Sequence, residues 1–288
     1  MLKFSIADIS LIFEFEHSLM VTDDFLPFLM GRGTKAGAQD ADWTISFRKQ
    51  EELPELGGNL LYSDEDYRVY GAKEDFQYLF LEREKVLPYA VTRMNPATRT
   101  VEVVFHKDAE CFFSETGNSL YHTDWEKIMI CENRLLMHAS LIDTAYGGVL
   151  FTGPSGIGKT TQSNLWEKYE GAETINGDRP ILLRGEEGWR AYGSPYAGSS
   201  KCHKNKSVSV KAIVVLQQAK KCSLRKIEGY GAFRMLYPMM TTHSWDPQFS
   251  QQVCDLTIKL SEEIPVYELA CTPDRAAVDI LREALEEL

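Results

Sequence analysis

Eight consecutive residues carry the clearest chemistry in this chain: Gly153-Pro154-Ser155-Gly156-Ile157-Gly158-Lys159-Thr160. They fit G-x-x-x-x-G-K-[ST], the spacing of a phosphate-binding loop. Glycines let the backbone wrap an anion with its N–H groups turned inward. Lys159 has the reach to meet β- and γ-phosphates, and the Thr160 hydroxyl suits Mg²⁺. Pro154, Ser155, Ile157 and Thr161 complete the set expected around a nucleotide.

The neighbouring elements must hold such a loop open. Gly148 to Phe151 reads as a short buried strand entering it. Thr161 to Tyr169 reads as the helix leaving it, with Gly171 as its stop. A helix start facing phosphates adds its dipole. Downstream, the strand Glu173-Thr174-Ile175-Asn176 runs into Gly177-Asp178-Arg179-Pro180. If that strand lies beside the loop strand, Asp178 reaches the metal held by Thr160. Otherwise Asp178 is a turn residue of Asn-Gly-Asp. Pro180 interrupts the ladder there.

Together, Leu136 to Asp143 with His138, Tyr146 to Thr160, and the early Asp178 resemble the catalytic domain of HPr kinase. They are also similar to its relatives with the phosphoenolpyruvate carboxykinase type of P-loop fold, small-molecule and peptide serine kinases among them. The resemblance runs from about residue 130 to the C-terminus and is densest over 136–180. It implies an α/β kinase domain that uses ATP and Mg²⁺. In that family a His-containing strand precedes the hairpin into the loop, and His138 matches it. Two adjacent Asp residues follow the loop helix, for metal binding and proton abstraction. Asp178 matches the second, and Gly177 stands where the first would be. A full carboxykinase is disfavoured, because those chains are much longer and no matching second metal site is present.

The catalytic base stays open between two residues. His138 lies in an apolar strand and reads as a core histidine or as a proton acceptor. Glu132, on the preceding helix, reads as a solvated residue or as a second base. Arg179 either stabilises developing charge or pairs with a structural carboxylate. Lys201-Cys202-His203-Lys204-Asn205-Lys206 is a basic cluster in an acidic protein. Lys201, His203 and Lys204 would grip an anionic substrate if the loop closes as a lid; the other reading is a solvated surface loop.

The 288 residues suit one large domain or two small ones. A net charge of −11 argues against a nucleic-acid partner. No apolar run approaches a membrane span, and the N-terminus lacks a signal-peptide layout. Six cysteines without a C-x-x-C read as reduced thiols, which suits the cytoplasm.

Residues 1–120 read as a β-rich N-terminal recognition domain. Val101, Val103 and Phe105 alternate onto one face of Thr100–His106, after the turn Asn95-Pro96-Ala97-Thr98. Tyr89–Arg93, Phe76–Glu82 and Phe4–Phe15 read as further strands, in an antiparallel meander. Gly31 to Gly37 is a loop by composition. Residues 121–288 read as the kinase-like domain: a helix from Asp124 to about Arg134, a buried strand at Ile213–Leu216, and helices starting at Asp246-Pro247 and Thr272-Pro273.

The expected function is ATP- and Mg²⁺-dependent transfer of phosphate to a hydroxyl on a small molecule or a peptide. The other class is a nucleotide-binding regulatory module without transfer, and Gly177 favours it. Self-association into a homo-oligomer stays open.

Overall fold

The computed structural model describes residues 1–32, 41–72, 75–82 and 87–288. Of the expected loop Gly31–Gly37, the part from Gly33 onward lies outside them. The chain forms two compact units: residues 1–131 with 243–247, and residues 132–242 with 248–288. The helix expected from Asp124 therefore falls with the first unit, and a short return segment joins it.

The first unit is built on a sheet of β1 (Leu2–Ile6), β2 (Ile9–Phe15), β3 (Leu29–Arg32), β4 (Trp43–Gln50), β5 (Asn59–Ser63), β6 (Tyr67–Ala72), β7 (Asp75–Glu82), β8 (Leu87–Asn95) and β9 (Thr100–His106). Among the described residues the order is β3-β1-β2-β4-β9-β8-β7-β6-β5. Two expectations are corrected here. Phe4–Phe15 is a hairpin, turned at Ala7-Asp8 with φ of 49° and 62°. The sheet is not a pure antiparallel meander, since β4 pairs parallel with both β2 and β9. Such non-local pairing leaves no local sequence signal. Alternation along β9 does bury Val101, Val103 and Phe105, and Val104 is buried as well. Helices α1 (Thr116–Tyr121) and α2 (Trp125–Cys131) follow. Phe105 and Phe113 stack at 4.3 Å in an aromatic core.

The second unit begins with β10 (Arg134–Leu136), β11 (Ala139–Thr144) and β12 (Gly147–Thr152), then α3 (Lys159–Glu170). It continues through β13 (Glu173–Asn176), β14 (Ile181–Gly185), β15 (Gly188–Tyr192), β16 (Ser207–Gln218) and β17 (Ser223–Ile227). It ends with α4 (Tyr230–Leu236), α5 (Pro247–Glu263), β18 (Val266–Cys271) and α6 (Arg275–Glu286). The sheet order is β10-β14-β15-β16-β12-β11-β13, with β18 pairing β16 and β17. β16 runs parallel to both β12 and β18, so its Ala212–Leu216 run is buried throughout. Phe151, Trp166, Val214, Leu269 and Leu281 pack α3 and α6 against the sheet.

The helix starts follow local chemistry. α5 opens on Pro247, where a missing N–H is harmless. Phe249, Val253, Leu256 and Leu260 then form its buried stripe. α6 starts two residues later than Thr272-Pro273 suggests, because Asp274 is the cap and accepts from the Ala276 N–H at 3.0 Å. Among the described residues no helix is long and apolar enough to cross a membrane.

Candidate functional site

β12 leads through Gly153–Gly158 into α3, a strand–loop–helix turn. Gly156 and Gly158 have φ of 77° and 116°, which side chains with a Cβ resist. Left-handed Gly171 closes α3, as expected. The Lys159 amine folds back onto the loop and donates to the Gly153 and Pro154 carbonyls at 3.2 and 3.4 Å. Burial lowers its pKa, against the opposing pull of Asp178. Thr160 and Thr161 are exposed at the start of the helix. Beside them a cleft of about 440 Å³ is lined by Gly156, Gly158, Thr161, Gln162, Gln218 and Cys271, among others. That size suits a small organic ligand.

β13 does not lie beside the loop strand, which is the condition set for Asp178 to reach the metal. β11 stands between them, antiparallel to both. Asp178 nevertheless arrives at the site, because its peptide is tied elsewhere. Its carbonyl accepts from the Ala139 N–H at 3.0 Å. Asn176, fully buried, accepts from the N–H groups of Asp178 and Arg179 at 3.0 and 2.8 Å. Its amide in turn donates to the Ser194 and Tyr196 carbonyls. The Asn-Gly-Asp turn is thus real, and Asn176 builds it, leaving the Asp178 carboxylate for other partners.

His138 is a correction in place if not in proximity. It sits in a bend between β10 and β11, not within an apolar strand, and its side chain is 27% exposed. Its backbone is clamped: the N–H donates to the Met239 carbonyl at 2.8 Å, and the carbonyl accepts from the Thr152 hydroxyl at 2.8 Å. The ring Nε2 stands 3.4 Å from Asp178 Oδ1. Arg179 Nε stands 3.7 Å from Asp178 Oδ2, while Nη1 donates to the Thr241 hydroxyl. One carboxylate therefore faces an imidazole on one oxygen and a guanidinium on the other. Burial first, then the Lys159 charge, lowers the His138 pKa, and Asp178 opposes both. A neutral imidazole held by a carboxylate is suited to accept a proton.

Glu132 lies in the turn after α2, not on the helix, and its carbonyl accepts from Arg134 Nη1 at 2.7 Å. The basic cluster is not a free-standing lid in this conformation. Cys202 to Lys204 run along β13: Gly177 N–H donates to the Cys202 carbonyl, Lys204 N–H to that of Ile175, and His203 bridges Asn176. Lys204 Nζ is engaged by Glu173 at 2.9 Å, and Lys206 by both Glu173 and Asp143. Those two lysines hold the Glu173 carboxyl down at about 2. Lys201 is exposed on a left-handed backbone.

The residue before Asp178 is constrained by the same loop. A Cβ on Gly177 would overlap Ser200 Oγ and come within 2.5 Å of Ser200 Cβ. No side chain fits there unless the Ala197–Ser200 segment moves.

Several positioning residues escape the sequence reading. Ser140 and Ser163 share a hydroxyl bond at 2.7 Å, Ser163 bonds the Lys159 carbonyl, and Ser140 bonds that of Asn176. This buried chain links the head of α3 to β11 and β13. A Ser or an Asn inside an apolar element is the only sequence signal for it.

No family model matches the chain, and no curated protein matches it. Among solved structures, the HPr(Ser) kinase/phosphatase from Coxiella burnetii matches with a TM-score of 0.35 and 13% identity, over 53% of this chain and 91% of that chain. At that level the likeness adds no weight to a functional reading, which rests on the residues described above.

Proposed function

We propose that this protein is an ATP- and Mg²⁺-dependent kinase that phosphorylates a hydroxyl of a small molecule or a peptide serine. The observation carrying this reading is one grouping: Lys159 at the mouth of a glycine loop, within electrostatic reach of the His138–Asp178–Arg179 cluster. Phosphoryl transfer needs positioning and charge neutralisation more than covalent help, and these residues are of the kinds that supply both.

The glycine loop and the start of α3 would take the triphosphate on backbone N–H groups. Lys159, now on its own loop carbonyls, would move to the phosphate oxygens. The cleft lined by Gln162 and Gln218 would receive the nucleoside. Thr160 and Asp178 are the oxygen donors that would hold Mg²⁺, and both donor types suit a hard cation. When bound, the ion neutralises phosphate charge. The acceptor hydroxyl would give its proton to His138 as its oxygen bonds the γ-phosphorus and the bond to the β-phosphate oxygen breaks, releasing ADP. Arg179 would meet charge on the transferring group. Glu132 is the second candidate for the base. The first unit would recognise the acceptor.

A second reading has one observation in its favour. With Ser200 packed against Gly177, the place of a second carboxylate is filled, as in a nucleotide-binding module without transfer. Radiolabelled ATP with Mg²⁺ and pools of hydroxyl metabolites or serine peptides separates the two. Label on an acceptor supports the kinase. Tight ATP binding with no acceptor labelled favours the module.

A further inference from the structure

The first unit holds a cluster that phosphoryl transfer does not use. Asp124, just before α2, has a left-handed backbone with φ of 50°, a conformation that only a few non-glycine residues adopt. The turn brings its carboxylate and that of Glu126 to the imidazole of His243, which comes from the returning segment His243–Pro247. One ligand atom from each lies within 4.8 Å of the other two. His243 Nδ1 stands 3.7 Å from Asp124 Oδ1. That is too long for a hydrogen bond. It is near the ~3.4 Å that separates two ligands on a tetrahedral ion with bonds of about 2.0–2.1 Å.

Burial and charge point the same way. The Asp124 and His243 side chains are 5% and 9% exposed. Asp124, Glu126 and Asp246 crowd three carboxylates together. Lys127 offsets one of them through its ion pair with Asp246. Outer partners of the kind that orient metal ligands are also present. The Tyr78 hydroxyl bonds Asp124, and Trp245 Nε1 donates to Tyr78 Oη at 3.4 Å. The Trp245 ring stacks on His243 at 4.7 Å and 19°, fixing the imidazole plane.

We propose that Asp124, Glu126 and His243 bind one divalent transition-metal ion, zinc by donor set, which fastens the His243–Pro247 segment to the N-terminal end of α2. An imidazole among the donors favours zinc over magnesium or calcium. The site is independent of the nucleotide reading.

The test uses the full-length protein, stripped with a chelator and titrated with zinc by calorimetry, with metal counted by plasma mass spectrometry. One equivalent binds, and the melting temperature rises with zinc concentration. Glu126→Gln and His243→Gln weaken that equivalent at least tenfold and abolish the melting shift. Glu126 is partly exposed and tolerates Gln, so its variant decides alone where His243→Gln fails to fold. Cobalt in place of zinc gives d–d absorption without the thiolate charge-transfer band that any of the six cysteines would add. The proposal is overturned if the stripped protein takes up no zinc at micromolar concentration. It is equally overturned if a folded Glu126→Gln protein keeps the same affinity, or if the cobalt spectrum shows thiolate ligation.

Discussion

Two of the acid–imidazole pairs, one taken from each unit, use the same residue types at nearly the same distance. His243 and Asp124 stand 3.7 Å apart and are 9% and 5% exposed. His138 and Asp178 stand 3.4 Å apart and are 27% and 30% exposed. The difference is access. A closed pair cannot exchange protons with a passing substrate and must balance its charge internally. A half-open pair, with the Lys159 charge close enough to bear on it, is open to solvent and to a ligand. Residue type alone therefore says little about role; burial and the neighbouring charges decide it.

The largest effect should come from breaking the open pair. His138→Gln is expected to slow phosphoryl transfer by roughly 10²–10⁴-fold, the usual worth of a general base. ATP binding measured by calorimetry should stay intact, and Glu132→Gln should have the smaller effect. The reverse ranking would move the base to Glu132. Because His138 is shifted below the ordinary histidine range, the acid limb of kcat/KM should lie below pH 6.5.

A pH series sharpens the closed side. In the same unit as Asp124, buried His122 bonds the Asn118 carbonyl through Nδ1 and Tyr89 Oη through Nε2. Burial lowers it from 6.5 to about 4. Between those values the unfolded chain binds a proton that the folded one refuses. Stability should therefore be full above pH 6.5, fall toward pH 4, and lose no more from this group below that. The loss is on the order of 3 kcal/mol. Thermal melts of His122→Gln that keep the parent slope between pH 6.5 and 4 would remove His122 as the cause.

Gly177→Asp restores the carboxylate of the resembled family and should lower stability by about 1–3 kcal/mol, because its Cβ meets Ser200. Adding Ser200→Gly should recover part of the loss. A single variant as stable as the parent in urea melts would show that the Ala197–Ser200 segment yields freely.

The two smaller effects concern the nucleotide. Lys159→Ala should weaken ATP binding at least tenfold, about 1.4 kcal/mol. Unchanged affinity in a folded variant would remove the basis of the nucleotide reading. Asp178→Asn should bind ATP without Mg²⁺ as the parent does and lose most of the Mg²⁺-dependent gain. Equal enhancement in both proteins would leave Asp178 as a partner of His138 and Arg179 without a metal role.

Much of the fold is legible locally. The strand into Thr152, the helix from Lys159, the stop at Gly171 and the buried run of β16 each follow from a few adjacent residues. The parallel pairs of β4 are not legible, because four strands intervene before β9. Within the site, the residue types of Lys159, Thr160, Asp178 and His138 can be picked out from sequence. Their mutual placement cannot, nor can the capture of Lys204 by Glu173.

The sequence by itself determines the glycine loop, because its φ values depend on residues that lack a Cβ. It also determines the turn at Asn176, since an Asx side chain bonds N–H groups two and three residues on. Only the tertiary structure decides that β11 intervenes between β12 and β13, that Asp178 meets His138, and that Ser200 fills the space at Gly177. It alone gathers Asp124 and His243, more than a hundred positions apart, into one interior cluster. Local rules act over a few residues of backbone. The partners of a buried charge are chosen by whichever distant segments share its packing, and only the folded chain contains that information.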